Sequence, residues 1–257
     1  MTVGYEVRGG TAYISFNRPE RHNALRDEDI AALADAIRRL DHDEDAQIGI
    51  VFGHGPSFSS GGDVDTRLQA SMDEGSTAGR TTEGEAFYDC ENWKPVIAAV
   101  HGYCLGHALG TALHCDLVVA SRNARFQVTE IAIGLPTPAL LPRVGHPAFA
   151  NDVCMTGRMF SAEEAWHGGM LTRLVEDGGH IDAAESLAML VLQNPQSAVR
   201  EQVRVRRTVV NETAMRYQAL VRDFASGWAT NREARDAVAA RATQMRDRDS
   251  GSAPGTS

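Results

Sequence analysis

Two short runs near the start of the chain, Val3 to Arg8 and Thr11 to Phe16, flank a Gly-Gly pair, and the second alternates Ala12, Ile14 and Phe16 with Tyr13 and Ser15. Alternation of period two on either side of a two-glycine turn predicts a β-hairpin. From Asp27 to Leu40 the period changes: Ile30, Leu33, Ala34, Ile37 and Leu40 recur at helical spacing. The acidic first turn, Asp27 and Glu28, suits the positive end of a helix dipole. A strand is expected over Gln47–Phe52. The run KPVIAAVHG, Lys94 to Gly102, is apolar throughout, of strand length and bounded by proline and glycine, which is the pattern of a strand buried on both faces. HALGTALHC then reads as a short helix and DLVVAS as a second buried strand, so the three form a right-handed crossover unit. A polar, glycine-rich stretch over 73–84 has no periodicity and reads as a mobile loop. Beyond Pro147 the pattern becomes helical, over Ala148–Met155, Ala162–His167, Ile181–Gln193, Gln196–Val210 and from Thr213 to about Met245. Strands are therefore expected in the first half of the chain and helices in the last third. The divisions that follow are a core over 1–190, a helical region over 191–245 and a tail over 246–257. That tail, RDRDSGSAPGTS, has too little apolar surface to offset the entropy of ordering it.

With 257 residues, 43% of them hydrophobic, the chain can bury a full core as one large domain or one domain with a helical appendage. Acidic residues outnumber basic ones 34 to 25, for a formal charge of -9, and this disfavours nucleic acid as a partner. No apolar stretch approaches the roughly 18 residues of a membrane span. The opening MTVGYEVRGG has neither signal nor transit character, so a cytoplasmic location without a membrane partner is expected. Cys90, Cys104, Cys115 and Cys154 show no CxxC spacing and read as buried free thiols; no metal site is expected.

Candidate chemistry lies in two small-residue loops. PSFSSGGD, residues 56–63, spends Ser59, Ser60, Gly61 and Gly62 on small side chains after the apolar run IGIVFG. HGYCLGHALG carries Gly102, Gly106 and Gly110 at every fourth position as a strand gives way to a helix. Bare backbone lets main-chain N–H groups approach a ligand oxygen, and the first N–H groups of a helix lack partners within it. One donor from each loop could polarise a carbonyl and hold the enolate formed from it. Either loop alone is also what a tight turn or packing site looks like. A serine hydrolase built on Ser59 or Ser60 would lack the GxSxG elbow.

The strings NRPERHNAL, FSSGGD, KPVIAAVHGYCLG, CDLVVAS, ARFQVTEIAIGL and MTGRMFSAEEAWHGGML resemble, in order and spacing, the enoyl-CoA hydratase/isomerase family, the crotonase superfamily, over most of Tyr5–Val210. The resemblance implies an α/β fold: a ClpP-like spiral of ββα units with a C-terminal helical region that mediates trimerisation, as a homotrimer or a dimer of trimers. It implies an acyl-CoA thioester substrate, with CoA part of the substrate and no further cofactor. It assigns oxyanion-hole N–H groups to Gly62 and to His107, which stands at the middle of a three-glycine run in the family. It places an acid/base carboxylate at Glu130, within a mostly apolar run suited to that work. The other hydratase carboxylate falls on Gly110, which carries none, and prolines follow GLP where a Gly-Gly pair is usual. Substrate binding is assigned to Arg21, Ser60, Gly61, Gly106, Gly110 and Leu135, with Arg18, Arg206 and Arg207 as further phosphate contacts. His22, His101 and His114 are assigned to structure. A single carboxylate suits isomerisation of a 3-enoyl-CoA to a 2-enoyl-CoA. The alternatives are a 2-enoyl-CoA hydratase and a non-catalytic acyl-CoA binder.

Overall fold

The computed structural model describes residues 2–63, 92–134 and 146–209, with scattered positions between 232 and 243. The readings made for 73–84, for Cys90, for Leu135 with the prolines after it, for most of 213–245 and for the tail 246–257 lie outside the described residues.

In chain order the elements are β1 (Val3–Arg8), β2 (Thr11–Phe16), α1 (Asp27–His42), β3 (Ile48–Gly53), β4 (Val96–Val100), β5 (Tyr103–Leu105), α2 (His107–His114), β6 (Leu117–Ser121), β7 (Arg125–Gln127), α3 (Pro147–Thr156), β8 (Met159–Ser161), α4 (Ala162–His167), β9 (Arg173–Val175) and α5 (His180–Leu192). Residues 196–209 are helical as well. β1 and β2 form the antiparallel hairpin, with Val3 opposite Phe16 and Arg8 opposite Thr11. The larger sheet continues through parallel pairings in the order β1-β2-β3-β4-β6-β9.

The apolar run of β4 is explained by its two faces. Ala98 and Val100 join one core with Phe16, Val51 and the Leu33, Ile37 and Leu40 stripe of α1. Their neighbours Ile97 and Ala99 join a second core with Ile48, Ile50, Val119 and the α5 residues Ala184 and Ala188. A strand covered by helices on both sides has no polar face to show.

A smaller sheet, ordered β5-β7-β8, stands outside the sequence reading, as does β9. β8 and β9 place strands in the second half of the chain, contrary to the expected division. Each of these four strands spans only three residues, too few to establish a period of two.

Residues 196–209 are pinned to the core by charge. Arg207 is buried and donates to the His114 carbonyl at 3.0 Å and to Asp116 Oδ2 at 3.2 Å. Arg206 donates to Asp116 Oδ1 at 2.7 and 2.9 Å. Both guanidinium groups therefore turn inward to Asp116. No helix among the described residues is long and apolar enough to cross a membrane.

Candidate active site

The first glycine loop is held between two other segments. On one side the Ser60 N–H donates to the His22 carbonyl (2.9 Å), the Leu25 N–H to Gly61 O (2.7 Å) and the Asp63 N–H to Leu25 O (2.8 Å). Leu25 thus bonds to the residues on either side of Gly62, so in this parallel pairing Gly62 directs its own N–H and C=O away from it. Among the described residues the Gly62 N–H makes no hydrogen bond. On the other side, Phe58 N–H donates to His101 O (2.8 Å), Ser59 N–H to Tyr103 O (2.9 Å), and Leu105 N–H to Ser59 O (3.2 Å). This run is what carries the loop alongside the entry to α2.

Gly61 closes the two loops on each other. It is buried with φ +91°, and a Cβ there would lie 2.5 Å from the Leu105 carbonyl oxygen and 3.6 Å from the His107 nitrogen. Only a residue without a Cβ permits this approach and this backbone conformation. The Gly61 backbone and the His107 amide are brought near each other as a result.

Polar anchors keep the first loop in place. Asn23, buried at φ +55°, accepts from the Arg18 N–H at 2.8 Å and donates to the carbonyls of His54 at 2.9 Å and Ser57 at 2.8 Å. Arg18 reaches the Ala24 carbonyl at 2.8 Å, Asp63 at 3.1 Å and Asp29 at 3.6 Å. Its charge is committed within the protein, and it ties the segment 18–24 to Asp63 at the end of the loop. Arg21 is exposed in the 3-10 turn Pro19–Arg21, on the segment that pairs with the loop. The imidazole of His22 bonds to Ser57 Oγ at 3.0 Å and meets the Tyr103 ring edge-on.

The second loop turns at Gly106, whose N–H donates to the Gln127 carbonyl at 2.9 Å, while the Gly110 N–H returns to the Gly106 carbonyl at 3.0 Å and opens α2. His107 is the first residue of that helix, a position whose N–H has no intrahelical acceptor. Gly106 has φ +51° and ψ −120°, and a Cβ there would collide with Thr129 Oγ1 and lie 3.1 Å from Glu130 Oε1. The half-buried Glu130 carboxylate therefore rests against the backbone of the second loop. Thr129 Oγ1 lies 3.4 Å from Glu130 Oε2. Cys154, on α3, has its thiol pushed up by burial and further by the charge of Glu130. Cys104 is wholly buried, and burial holds its thiol well above the ordinary value.

The structure thus gathers Gly61, Gly62, Gly106, His107 and Glu130, with Ser60 half-buried in the first loop and Gly110 one turn along α2. Leu135 lies outside the described residues. Asn23, Thr129 and Cys154 are the participants that sequence reasoning did not single out. Asn is the non-glycine residue most at ease at positive φ, so Asn23 left a faint signal; a Thr before a Glu left none. Among the described residues no group of three or more His, Cys, Asp or Glu side chains is placed to hold a metal ion.

Residues 6–240 match the sequence profile of the enoyl-CoA hydratase/isomerase family. An (E)-benzylidenesuccinyl-CoA hydratase of Thauera aromatica is 37% identical over 194 residues, 73% of this chain and 75% of that protein. A 1,2-epoxyphenylacetyl-CoA isomerase of Escherichia coli (strain K12) is 32% identical over 199 residues, 74% and 75% of the two chains. Among solved structures, an enoyl-CoA hydratase/isomerase from Pseudoalteromonas atlantica T6c superposes with a TM-score of 0.83 at 28% identity, covering 100% of both chains.

Proposed function

This chain belongs to the enoyl-CoA hydratase/isomerase family, and from that premise we propose that it moves a proton on an acyl-CoA thioester, with the enolate oxygen held between the backbone N–H groups of Gly62 and His107 and Glu130 as the acid/base. The observation that carries this reading is the placement of one carboxylate, Glu130 Oε1, against Gly106, at the junction where Gly61 lets the two loops touch. Donors fixed in place before charge develops stabilise an enolate without reorganising.

The reaction we favour is isomerisation of a 3-enoyl-CoA to the 2-enoyl-CoA. Glu130 takes a proton from C2, the electron pair shifts so that the double bond moves from C3=C4 to C2=C3, and the same carboxyl returns the proton at C4. One carboxylate suffices for both steps, in keeping with the bare Gly110. The second reading is hydration of a 2-enoyl-CoA, favoured by the hydratase names among the relatives; it lacks a carboxylate on α2 to orient water. Arg21 is the candidate for the CoA phosphates.

A panel of 2-enoyl, 3-enoyl and 3-hydroxyacyl-CoA thioesters, followed by product mass, separates the readings. Rearrangement without change of mass marks the isomerase, and gain of one water marks the hydratase. Binding without turnover would mark a non-catalytic acyl-CoA binder and sink both. Glu130→Gln keeps the shape and removes the basicity, so turnover should fall at least about a hundredfold with little change in thioester affinity; full activity would remove Glu130 from its role.

A further inference from the structure

We propose that Thr129 is a positioning residue for Glu130: its hydroxyl holds Oε2, so that Oε1 is the oxygen that exchanges the substrate's proton. The proposal rests on the reading of Glu130 as the acid/base.

Thr129 directly precedes the 3-10 turn Glu130–Ile133, a place where a threonine hydroxyl ordinarily accepts a backbone N–H of the first turn. Here it makes no capping bond. Its oxygen faces the neighbouring carboxylate, 3.4 Å from Glu130 Oε2. The same hydroxyl and the other carboxylate oxygen, Oε1, converge on the point that a Cβ of Gly106 would occupy, Oε1 at 3.1 Å and Thr129 Oγ1 well inside contact distance. Gly106 immediately precedes the proposed donor His107.

The two carboxylate oxygens are therefore not equivalent. Oε1 stands over the second loop, and Oε2 faces a hydroxyl at 3.4 Å. A carboxylate free to rotate about its terminal torsion, which is broad for a glutamate, presents either oxygen at many angles; one bonded through Oε2 presents Oε1 at one. In the transfer, the proton leaving C2 goes to Oε1. The threonine keeps its own proton and donates it to Oε2 throughout, and no further acid or base is needed.

The test is a pair of opposite substitutions. Thr129→Val keeps the branched shape and removes the hydroxyl, whereas Thr129→Ser keeps the hydroxyl and removes the methyl. With the panel thioester that the unmodified enzyme turns over, Thr129→Val should lower kcat by up to about tenfold at unchanged KM, the upper end of what one hydrogen bond contributes net. The acidic limb of its pH–rate profile should move to higher pH, since the ionised form has lost a donor. Thr129→Ser should stay within about twofold. The reverse order, serine slow and valine normal with an unmoved pH limb, would make Thr129 a packing residue and overturn the proposal. Combining Thr129→Val with Glu130→Gln separates this claim from the one beneath it. If Thr129 acts through Glu130, the double variant is no slower than Glu130→Gln alone. A further tenfold loss in the double variant overturns the positioning role while leaving Glu130 in place, and full activity of Glu130→Gln by itself overturns both.

Discussion

Gly61→Ala tests whether the two loops act on one oxygen. The new Cβ would start 2.5 Å from the Leu105 carbonyl oxygen, and ordinary contact begins at 3.4 Å, so the loops would have to part by about 0.9 Å. The obstruction is backbone, not the end of a flexible side chain, so rotation of a side chain offers no relief. An oxyanion donor works over a range of only about 0.4 Å, roughly 2.7 to 3.1 Å from the oxygen, and losing one donor costs on the order of a hundredfold or more in kcat. A displacement of that size should therefore cost about one donor, close to 3 kcal/mol in the transition state. The φ of +91° adds a strain of its own, on the order of 1 kcal/mol against folding. Gly9→Ala supplies the control, because Gly9 also has a positive φ, +56°, yet a Cβ there meets nothing within 4 Å. Urea unfolding should show both variants folded and Gly9→Ala destabilised by about 1 kcal/mol. kcat/KM on the active thioester should fall about a hundredfold for Gly61→Ala and stay near normal for Gly9→Ala. A folded Gly61→Ala with a near-normal rate would refute the shared oxygen.

Three further outcomes follow from buried charge. The His180 imidazole is stacked on His101 at 4.2 Å, and burial followed by the neighbouring His101 pushes its pKa from 6.5 down to about 4. Between those values the unfolded chain binds a proton that the folded chain refuses, so stability should fall as pH drops from 6.5 to 4, by about 1–2 kcal/mol once the shift is discounted for partial solvent exposure; His180→Phe should lose that slope in melting curves, and equal slopes would refute it. Asp116→Asn removes a carboxylate to which the buried Arg207 donates and should destabilise by about 3 kcal/mol in urea; a loss under about 1 kcal/mol would mean that other contacts carry Arg207. Glu130→Gln removes a charge that raises the Cys154 thiol, so iodoacetamide should label Cys154 faster at pH 8, read by peptide mass, while an unchanged rate would place the carboxylate too far away.

The parts of the fold that were legible in the sequence are those long enough to declare a period. The hairpin of Val3–Arg8 and Thr11–Phe16 has the predicted bounds, and α1 runs two residues past the predicted Leu40. The three-residue strands that make the smaller sheet could not be read, although that sheet is what aligns Leu105 and Gln127 beside the second loop. The arginines show a different limit. Arg18, Arg206 and Arg207 look like surface cations by type, but whether a guanidinium faces solvent depends on which carboxylate the fold brings to it. Asp63 lies 45 residues from Arg18, and Asp116 lies 90 from Arg206. Nothing local to any of these positions records the partner.

The two glycines four residues apart in the second loop carry the same letter for different reasons. At Gly106 a side chain is excluded from two directions, by a backbone at φ +51° and by Thr129 and Glu130 occupying the space. That position is closed by geometry, and any substitution there presses on Thr129 and on the Glu130 carboxylate. Gly110 sits in regular helix with its N–H bonded to Gly106, where glycine is disfavoured by about 1 kcal/mol against alanine. Its backbone does not require glycine, and on the proposed reading what matters there is the side chain it lacks: this helix carries no carboxylate at that position to hold water. On the proposed reading the first glycine builds the oxyanion pocket and the second decides which reaction the pocket serves. The regular spacing of Gly102, Gly106 and Gly110 in the sequence conceals that distinction, because spacing records where a side chain is absent and not whether the chain conformation or the chemistry requires its absence.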